Sequence, residues 1–406
     1  MKRGTRVKLI QAGFVSLFWL GIALFKVIYD YLFIQVSAKP DYQYDLSTDV
    51  FTSILVVALA GLLGATTMVF ILKDIYKNFP LWVTLLINAF TITSVIIIVC
   101  FPASMFYFSY SRGLPLWNEL VIENSWSFYL RPDFLIVLLV WTVVSMLTLV
   151  FLQVNDRYGH GKLLDLLMGR YYSPKQEERI FMFLDMKSST TIAETLGDKK
   201  YFTLLNRLYV DLNEVIHESY GEIYQYVGDE IVITWKLKSG IKKGRCIDCF
   251  FTVDQILDRL SEEYFTSYGH RPEFKAALHC GKVTTGEVGT VKKDIIYTGD
   301  VLNTTSRILE CCNGFDAKLI VSDELLKLIQ TPTHYTVISL GEFKFRGKRK
   351  EVPISTVMNA NLEGIKVRTA KGLIRIILAL ERDRLTITKE TAARAFIRQC
   401  RRPKNA

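Results

Sequence analysis

The sequence predicts two modules of different construction: an all-α bundle of four transmembrane helices, followed by an α+β domain whose helices cover an antiparallel-rich sheet. Three observations carry this. Half of the 406 residues are hydrophobic, and they concentrate in four long runs near the N-terminus. The later part of the chain segregates short β-rich runs from amphipathic helical patterns, as α+β domains do. Two of those β-rich runs flank Gly228-Asp229, a strong hairpin signal. A chain of this length holds two or three modules, and the reading divides it into a membrane domain (1–154), a linker (155–178), an α+β domain (179–360) and a basic tail (361–406).

The four apolar runs cover residues 9–36, 50–72, 81–108 and 134–152, each about 19 residues or more and long enough to span a bilayer. The first is too long for a signal peptide, and no small-residue cleavage pattern follows it. Basic residues flank the start (Lys2, Arg3, Arg6, Lys8), the second loop (Lys73, Lys77) and the end of span four (Arg157, Lys162, Arg170), whereas the first loop carries Asp41, Asp45 and Asp49. By the positive-inside rule both termini face the cytoplasm. This predicts a multi-pass protein of the cell (inner) membrane with its later domain cytoplasmic. Lys26 and Asp30, one turn apart in the first run, read as side chains snorkelling near a helix end. Leu163, Leu164, Leu166 and Leu167 give the linker a helical apolar pattern that Ser173-Pro174 ends; this segment is a tether or a helix that pairs with its twin.

After the linker, residues 179–185 read as a buried strand and 188–218 as helices broken near Gly197. Residues 222–236 form the hairpin and 246–268 an amphipathic helix. Strands follow at 274–281, 285–288 and 295–298, then a helix bearing Asn303 and Arg307, and smaller β/α pieces run to Met358. The seven cysteines form no disulfide framework. Cys246 and Cys249 make a C-x-x-C on a helix without a second ligand pair, which reads as packing or a free thiol. His279 sits in a strand pattern and reads as structural. The basic tail supplies most of the net charge of +10; it suits an amphipathic helix on anionic lipid or a packed terminal helix. No recognition fold accompanies the charge, so nucleic acid is not expected as a partner.

Chemistry concentrates in three stretches. In residues 181–190 a four-residue apolar run ends at Asp185 and opens into Ser188, Ser189 and Thr190, good N-cap residues for a helix whose N-terminus would receive an anion. The hairpin would set Asp229 beside Asp185, giving two carboxylates at neighbouring strand ends and so a two-metal clamp for phosphoryl displacement. Asn303 and Arg307, spaced i, i+4, share a helix face; arginine stabilises charge on a phosphoryl group, and asparagine can orient a sugar.

These motifs, Phe-Leu-Asp-Met-x-x-Ser-Thr, Tyr-Val-Gly-Asp-Glu and Gly-Asp-x-x-Asn-x-x-x-Arg, resemble in order and spacing the class III nucleotidyl cyclases, over roughly residues 175–360. The resemblance implies a ferredoxin-like βαββαβ core and a membrane-anchored bacterial adenylate cyclase that converts ATP to 3′,5′-cyclic AMP. It implies two Mg²⁺ or Mn²⁺ ions per site on Asp185 and Asp229, and a triphosphate cradle at Met186, Lys187, Ser188, Ser189 and Thr190. Asn303 and Arg307 become the catalytic pair, and Arg346 and Lys348 a looser phosphate-binding match. Because one chain carries one copy of each motif, the resemblance also implies a homodimer with sites at the subunit interface. The membrane domain would contact lipid and could receive an unknown ligand or partner. The base-recognition positions depart from the family: Gln225 stands where adenylyl cyclases often carry lysine, and Ile296 where aspartate or threonine is common. Gln225 can read either purine edge, so guanylate cyclase is the alternative. A degenerate cyclase-like receptor is a further alternative, against which the retained acids, Asn303 and Arg307 count; a diguanylate cyclase is another, but Val227-Gly-Asp-Glu only partly echoes its signature and the Asn-x-x-x-Arg helix would be unexplained.

The basic flanks make a direct prediction. Single cysteines introduced at positions 45 and 77 should react with a membrane-impermeant thiol reagent from opposite sides, position 45 from outside and position 77 from inside; the reverse pattern overturns the topology.

Overall fold

The computed structural model describes residues 3–37, 46–72, 75, 79–158, 168–169, 171–291, 293–329, 335–345 and 350–359. The leucine pattern of the linker (163–167), the basic flanks Lys73, Lys77, Lys162 and Arg170, the tail from 360 onward, and the phosphate-binding candidates Arg346 and Lys348 lie outside these residues. The chain separates into two compact units, Met1–Leu164 and Asp165–Ala406.

The first unit is helical: α1 (Arg3–Ser37), α2 (Leu46–Thr66) running into a π-helical turn (Thr67–Leu72), α3 (Leu81–Arg112), α4 (Glu119–Tyr129) and α5 (Pro132–Tyr158). Among the described residues, three stretches, against the four expected, are helical, long and apolar enough to cross a membrane: Gly4–Tyr29, Leu81–Arg112 and Phe134–Asp156; Val56–Leu72, within the expected second span, forms a shorter apolar helix. Large apolar side chains such as Phe14, Phe18, Phe25, Phe90 and Ile98 face outward. Two buried polar pairs join different helices, Trp19 Nε1 donating to Thr148 Oγ1 at 3.0 Å and Asn88 Nδ2 to Ser145 Oγ at 3.1 Å. Without water as an alternative partner, such bonds help to fix which helix faces meet. α4, absent from the sequence reading, is started by Asn118, whose side chain accepts the Leu120 amide at 3.0 Å.

The second unit runs β1 (Lys175–Met186), α6 (Ser189–Leu196), α7 (Asp198–Glu218), β2 (Glu222–Val227), β3 (Glu230–Lys236), α8 (Arg245–Tyr268), β4 (Phe274–Val288), β5 (Asp294–Thr298), α9 (Asp300–Phe315), β6 (Leu319–Ser322), β7 (Tyr335–Phe343) and β8 (Val352–Asn359), with one-turn helices at Leu237–Ile241 and Asp323–Leu326. The sheet order is β2-β3-β1-β4-β6-β8-β7, with β5 added against β4. Among the described strands, only the β4–β6 pair is parallel. The first four strands and their helices make the expected βαββαβ core.

Strand alternation divides β1 between two cores. Ile180, Met182 and Leu184 pack with Leu204, Leu208 and Leu212 of α7 and Cys246, Phe250 and Leu257 of α8. Phe181 and Phe183 point the other way, against Val301, Ile308 and Leu309 of α9. Burial on both faces is why β1 reads as an uninterrupted apolar run. Cys246 and Cys249 are free and buried in the first core, and His279 is buried with Nδ1 2.8 Å from Ser322 Oγ. Residues 274–288 form one strand where the sequence reading expected two, at 274–281 and 285–288; Lys282, Val283 and Thr284 between them stay paired to β1. At Gly281 a Cβ would lie 2.7 Å from Val301 Cγ2, so the glycine admits α9 against β4.

Gly281→Ala should therefore push α9 off the sheet. We expect a loss of about 1–3 kcal/mol, read as a lower unfolding midpoint of the purified protein; an unchanged midpoint would mean that α9 can move freely at this contact.

Candidate active site

Strand register alone assembles the first part of the site. Asp185 on β1 stands opposite Glu230 on β3 and opposite Lys275 on β4. By alternation all three lie on the face that carries Phe183, Val232 and Ala277. Carboxylates directly opposed on antiparallel strands repel, and Lys275 balances them. Its Nζ is 3.0 Å from Asp185 Oδ2 and donates to Asn313 Oδ1 of α9 at 3.0 Å.

Asp229 comes from the two-residue turn between β2 and β3, where Val227 pairs with Glu230. Gly228 takes φ 63°, a left-handed conformation that glycine adopts without strain. The turn brings Asp229 close enough to Asp185 to act on it both as a charge and as a hydrogen-bond partner. Burial pushes the Asp185 carboxyl up, Lys275 pulls it back and Asp229 pushes it up again, so that it stays above its ordinary value. Glu230 is pushed up to about 7 by burial and by the charges of Asp185 and Asp229, against the pull of Lys275.

Among the described residues, no three His, Cys, Asp or Glu side chains converge as a metal cage. What the sheet does converge is two hard oxygen donors, Asp185 and Asp229, whose repulsion a cation would relieve. That set fits Mg²⁺ or Mn²⁺, which take one or two carboxylates and complete their shell with phosphate oxygens and water. It lacks the nitrogen and sulfur ligands of a closed zinc site.

The expected cradle begins within the sheet. Met186 is buried and still paired to β4, opposite Phe274. The Lys187 amide donates to the Glu273 carbonyl at 2.8 Å. Ser188 then turns left-handed (φ 56°, ψ 28°) at the N-cap of α6. Its hydroxyl makes no capping bond, contrary to the expectation that it would cap the helix. The stretch from Ser188 to Thr190 thus carries the first-turn amides without a side-chain cap from Ser188.

Asn303 and Arg307 lie on α9, exposed and half-buried respectively. The helix buries Val301, Ile308, Leu309 and Cys312 against the sheet. It touches the acid row through Asn313. At a rise of about 1.5 Å per residue, Asn303 and Arg307 sit about 15 and 9 Å along the axis from that contact. Gln225 is exposed on β2, just after a register shift at Tyr224, and Ile296 is half-buried on β5 opposite Gly286. Their neighbours meet: the Tyr297 amide donates to Tyr224 Oη at 3.3 Å and the two rings are 5.0 Å apart. Arg179, 1% exposed, supports this corner through Glu177 (2.8 Å), Glu222 (3.2 Å) and the Tyr297 ring (4.7 Å).

Two residues that the sequence reading missed touch the site. Lys275 is one. Tyr209 of α7 is the other: its hydroxyl donates to the Gly228 carbonyl, and its ring lies 4.3 Å from that of Tyr226. Neither carries a local motif; both become visible only once strand register and helix placement are known.

Residues 171–358 match the family model of the adenylate and guanylate cyclase catalytic domain. Adenylate cyclase 2 of Rhizobium meliloti (strain 1021) is 32% identical over 227 residues, 56% of this chain and 62% of that protein. A receptor-type guanylate cyclase of Caenorhabditis elegans is 24% identical over 170 residues, 41% of this chain and 13% of that one. The match therefore spans less than two thirds of either relative. Among solved structures, the adenylyl cyclase CyaB from P. aeruginosa superposes with a TM-score of 0.41 at 17% identity, covering 46% of this chain and 96% of that one.

The raised Glu230 carboxyl has a definite sign. Its ordinary value is 4.5 and its folded value about 7, so the fold binds a proton that the unfolded chain releases, and stability falls as pH rises through that window. In metal-free protein Glu230→Gln should match wild type near pH 4.5 and unfold about 2–5 °C higher above pH 7, measured by thermal denaturation in chelator. A variant that tracks wild type at every pH would show Glu230 to be electrostatically idle.

Proposed function

We propose that this chain is a membrane-anchored adenylate cyclase, a reading supported by the match of residues 171–358 to the family model of the adenylate and guanylate cyclase catalytic domain. It converts ATP to 3′,5′-cyclic AMP and pyrophosphate. The observation that carries the reading is the convergence of Asp185 and Asp229 at neighbouring strand ends, beside the start of α6. In this reading the two carboxylates hold the divalent cations, and the amides from Ser188 to Thr190, at the N-terminus of α6, hold the triphosphate. Cations held there would supply charge stabilisation at the α-phosphate and ease loss of the ribose 3′-hydroxyl proton. The 3′-oxygen then bonds to the α-phosphorus as the bond to pyrophosphate breaks. Asn303 orients the ribose, Arg307 stabilises charge on the transferring phosphoryl group, and Lys275 offers a further cation beside the phosphates.

The site is shared between two chains in this reading. Support comes from α9, which meets its own acid row about 15 Å from Asn303, so that pair is better placed to serve a second chain. A homodimer with two equivalent sites follows from two-fold symmetry. The apolar helices support anchoring in the membrane, and four spans with a cytoplasmic catalytic domain follow from the basic flanks. The choice of ATP rests on likeness to the adenylate cyclase of Rhizobium meliloti. GTP is the competing substrate, because the exposed Gln225 amide can pair with either base edge. Incubation of the purified protein with each nucleotide, followed by identification of cyclic products, separates the two and detects a catalytically silent domain as well.

Asp185→Ala and Asp229→Ala should each lose at least about 10²-fold in activity. Asp185→Ala and Arg307→Ala chains, each inactive alone, should regain up to about a quarter of wild-type activity when co-assembled, since half of the randomly formed dimers carry one intact site of two. Near wild-type turnover in an aspartate variant, or no rescue despite proven co-assembly, would defeat the corresponding part of the reading.

A further inference from the structure

The turn that presents Asp229 hangs from the edge of the sheet. Among the described strands, β2 is terminal and pairs only with β3. Gln225, Tyr226, Val227 and Gly228 are all exposed, and no atom lies within 4 Å of where a Cβ on Gly228 would be. A two-residue turn on an edge hairpin has little to hold its direction. Yet Asp229 must be held against Asp185, whose charge opposes its approach.

One helix supplies a brace. Tyr209 of α7 donates its hydroxyl proton to the Gly228 carbonyl, the peptide group immediately before Asp229. The same ring lies on Tyr226, with centroids 4.3 Å apart and planes at 30°, so the residue grips the hairpin at two points. α7 is itself fixed. Leu204, Leu208 and Leu212 are fully buried in the first core. On the far side Arg207 pairs with Glu263 of α8 at 2.6 Å, and Asp211 accepts the Tyr264 hydroxyl at 2.6 Å. The brace therefore runs from the domain core to the turn. Burial and then the Asp229 charge push the Tyr209 phenol up to about 12, so it stays protonated and able to donate. Tyr201, eight residues earlier on α7, also faces this corner, near Asp229, Ser189 and Asp185.

We propose that Tyr209 is a positioning residue of the cation site: it holds the Gly228 peptide so that the Asp229 carboxylate converges with Asp185, and it thereby sets the affinity for the divalent ion. The inference rests on the reading of Asp185 and Asp229 as cation ligands.

The test uses the full-length protein in detergent, with Mn²⁺ as the probe and Tyr209→Phe as the variant. Phenylalanine keeps the ring over Tyr226 and removes only the bond to Gly228. Mn²⁺ binding to the nucleotide-free protein is followed by electron paramagnetic resonance of the free ion, and activity by Mn²⁺ titration at saturating ATP. Loss of one hydrogen bond at the turn should raise the Mn²⁺ dissociation constant about fivefold. It should raise the half-activating Mn²⁺ concentration by a similar factor, while kcat at saturating Mn²⁺ stays within about twofold and KM for ATP is unchanged. Tyr209→Leu, which also removes the stacking, should weaken Mn²⁺ further. Unchanged Mn²⁺ binding in Tyr209→Phe overturns the proposal, as does a loss of kcat that added Mn²⁺ does not restore. Asp229→Asn is run alongside. If it binds Mn²⁺ as well as wild type does, the reading of the acids fails, and that outcome is distinct from failure of the brace.

Discussion

Carboxylate crowding at the ends of three strands is the constraint on which the catalytic domain depends. Asp185, Asp229 and Glu230 are brought within one another's influence by a ladder that would fold equally well with neutral residues at those positions. Like charges on directly opposed strands cost free energy, and burial raises that cost. Lys275 offsets part of it through a 3.0 Å contact with Asp185. The remainder is a standing demand for positive charge. In the proposed reading, a cation with phosphates attached meets that demand.

The surrounding architecture can be read as the means of keeping those acids together. β1 is central and buried on both faces, so Asp185 cannot drift. α7 and α8 hold one face, α9 the other, and the gap at Gly281 lets α9 approach β4. α9 then reaches the acid row through Asn313 and Lys275, while its middle turns carry Asn303 and Arg307 elsewhere. One helix thus serves two purposes at two distances along its axis.

Much of this was legible in the sequence, and the failures have physical reasons. The apolar run ending at Asp185, the Gly228-Asp229 hairpin, the break at Gly197 and the helix bearing Asn303 and Arg307 are local signals, and each became the expected element. The split expected in β4 failed because Lys282, Val283 and Thr284 stay in register with β1, a pairing that no local signal in those residues announces. The cap expected from Ser188 failed: the residue is left-handed where a capping residue is ordinarily extended, and its side chain makes no capping bond. Lys275 and Tyr209 were invisible for a different reason. Their partners are 90 and 19 residues away, and no spacing rule links a strand lysine to another strand's acid or a helix tyrosine to a turn carbonyl. In the membrane unit, periodicity marks apolar runs but not which of them continue as uniform α-helix. The π-helical turn at Thr67–Leu72 carries no signature in the composition of that run.

The edge position of β2 has a kinetic consequence. An edge strand bonded on one side only is among the first segments of a sheet to open, at a free-energy cost well below that of global unfolding. Fraying of β2 and its turn would carry Asp229 away from Asp185 while β3, whose Ile231, Val232 and Ile233 are buried in the two cores, stays in place. The folded domain is therefore an equilibrium between an assembled and a disassembled pair of acids, and amide protons of Tyr226 and Val227 should exchange with solvent sooner than those of β1. Whatever ligand bridges the two acids draws that equilibrium toward assembly. Completion of the site then becomes a step that binding itself performs, on a timescale separate from the folding of the domain.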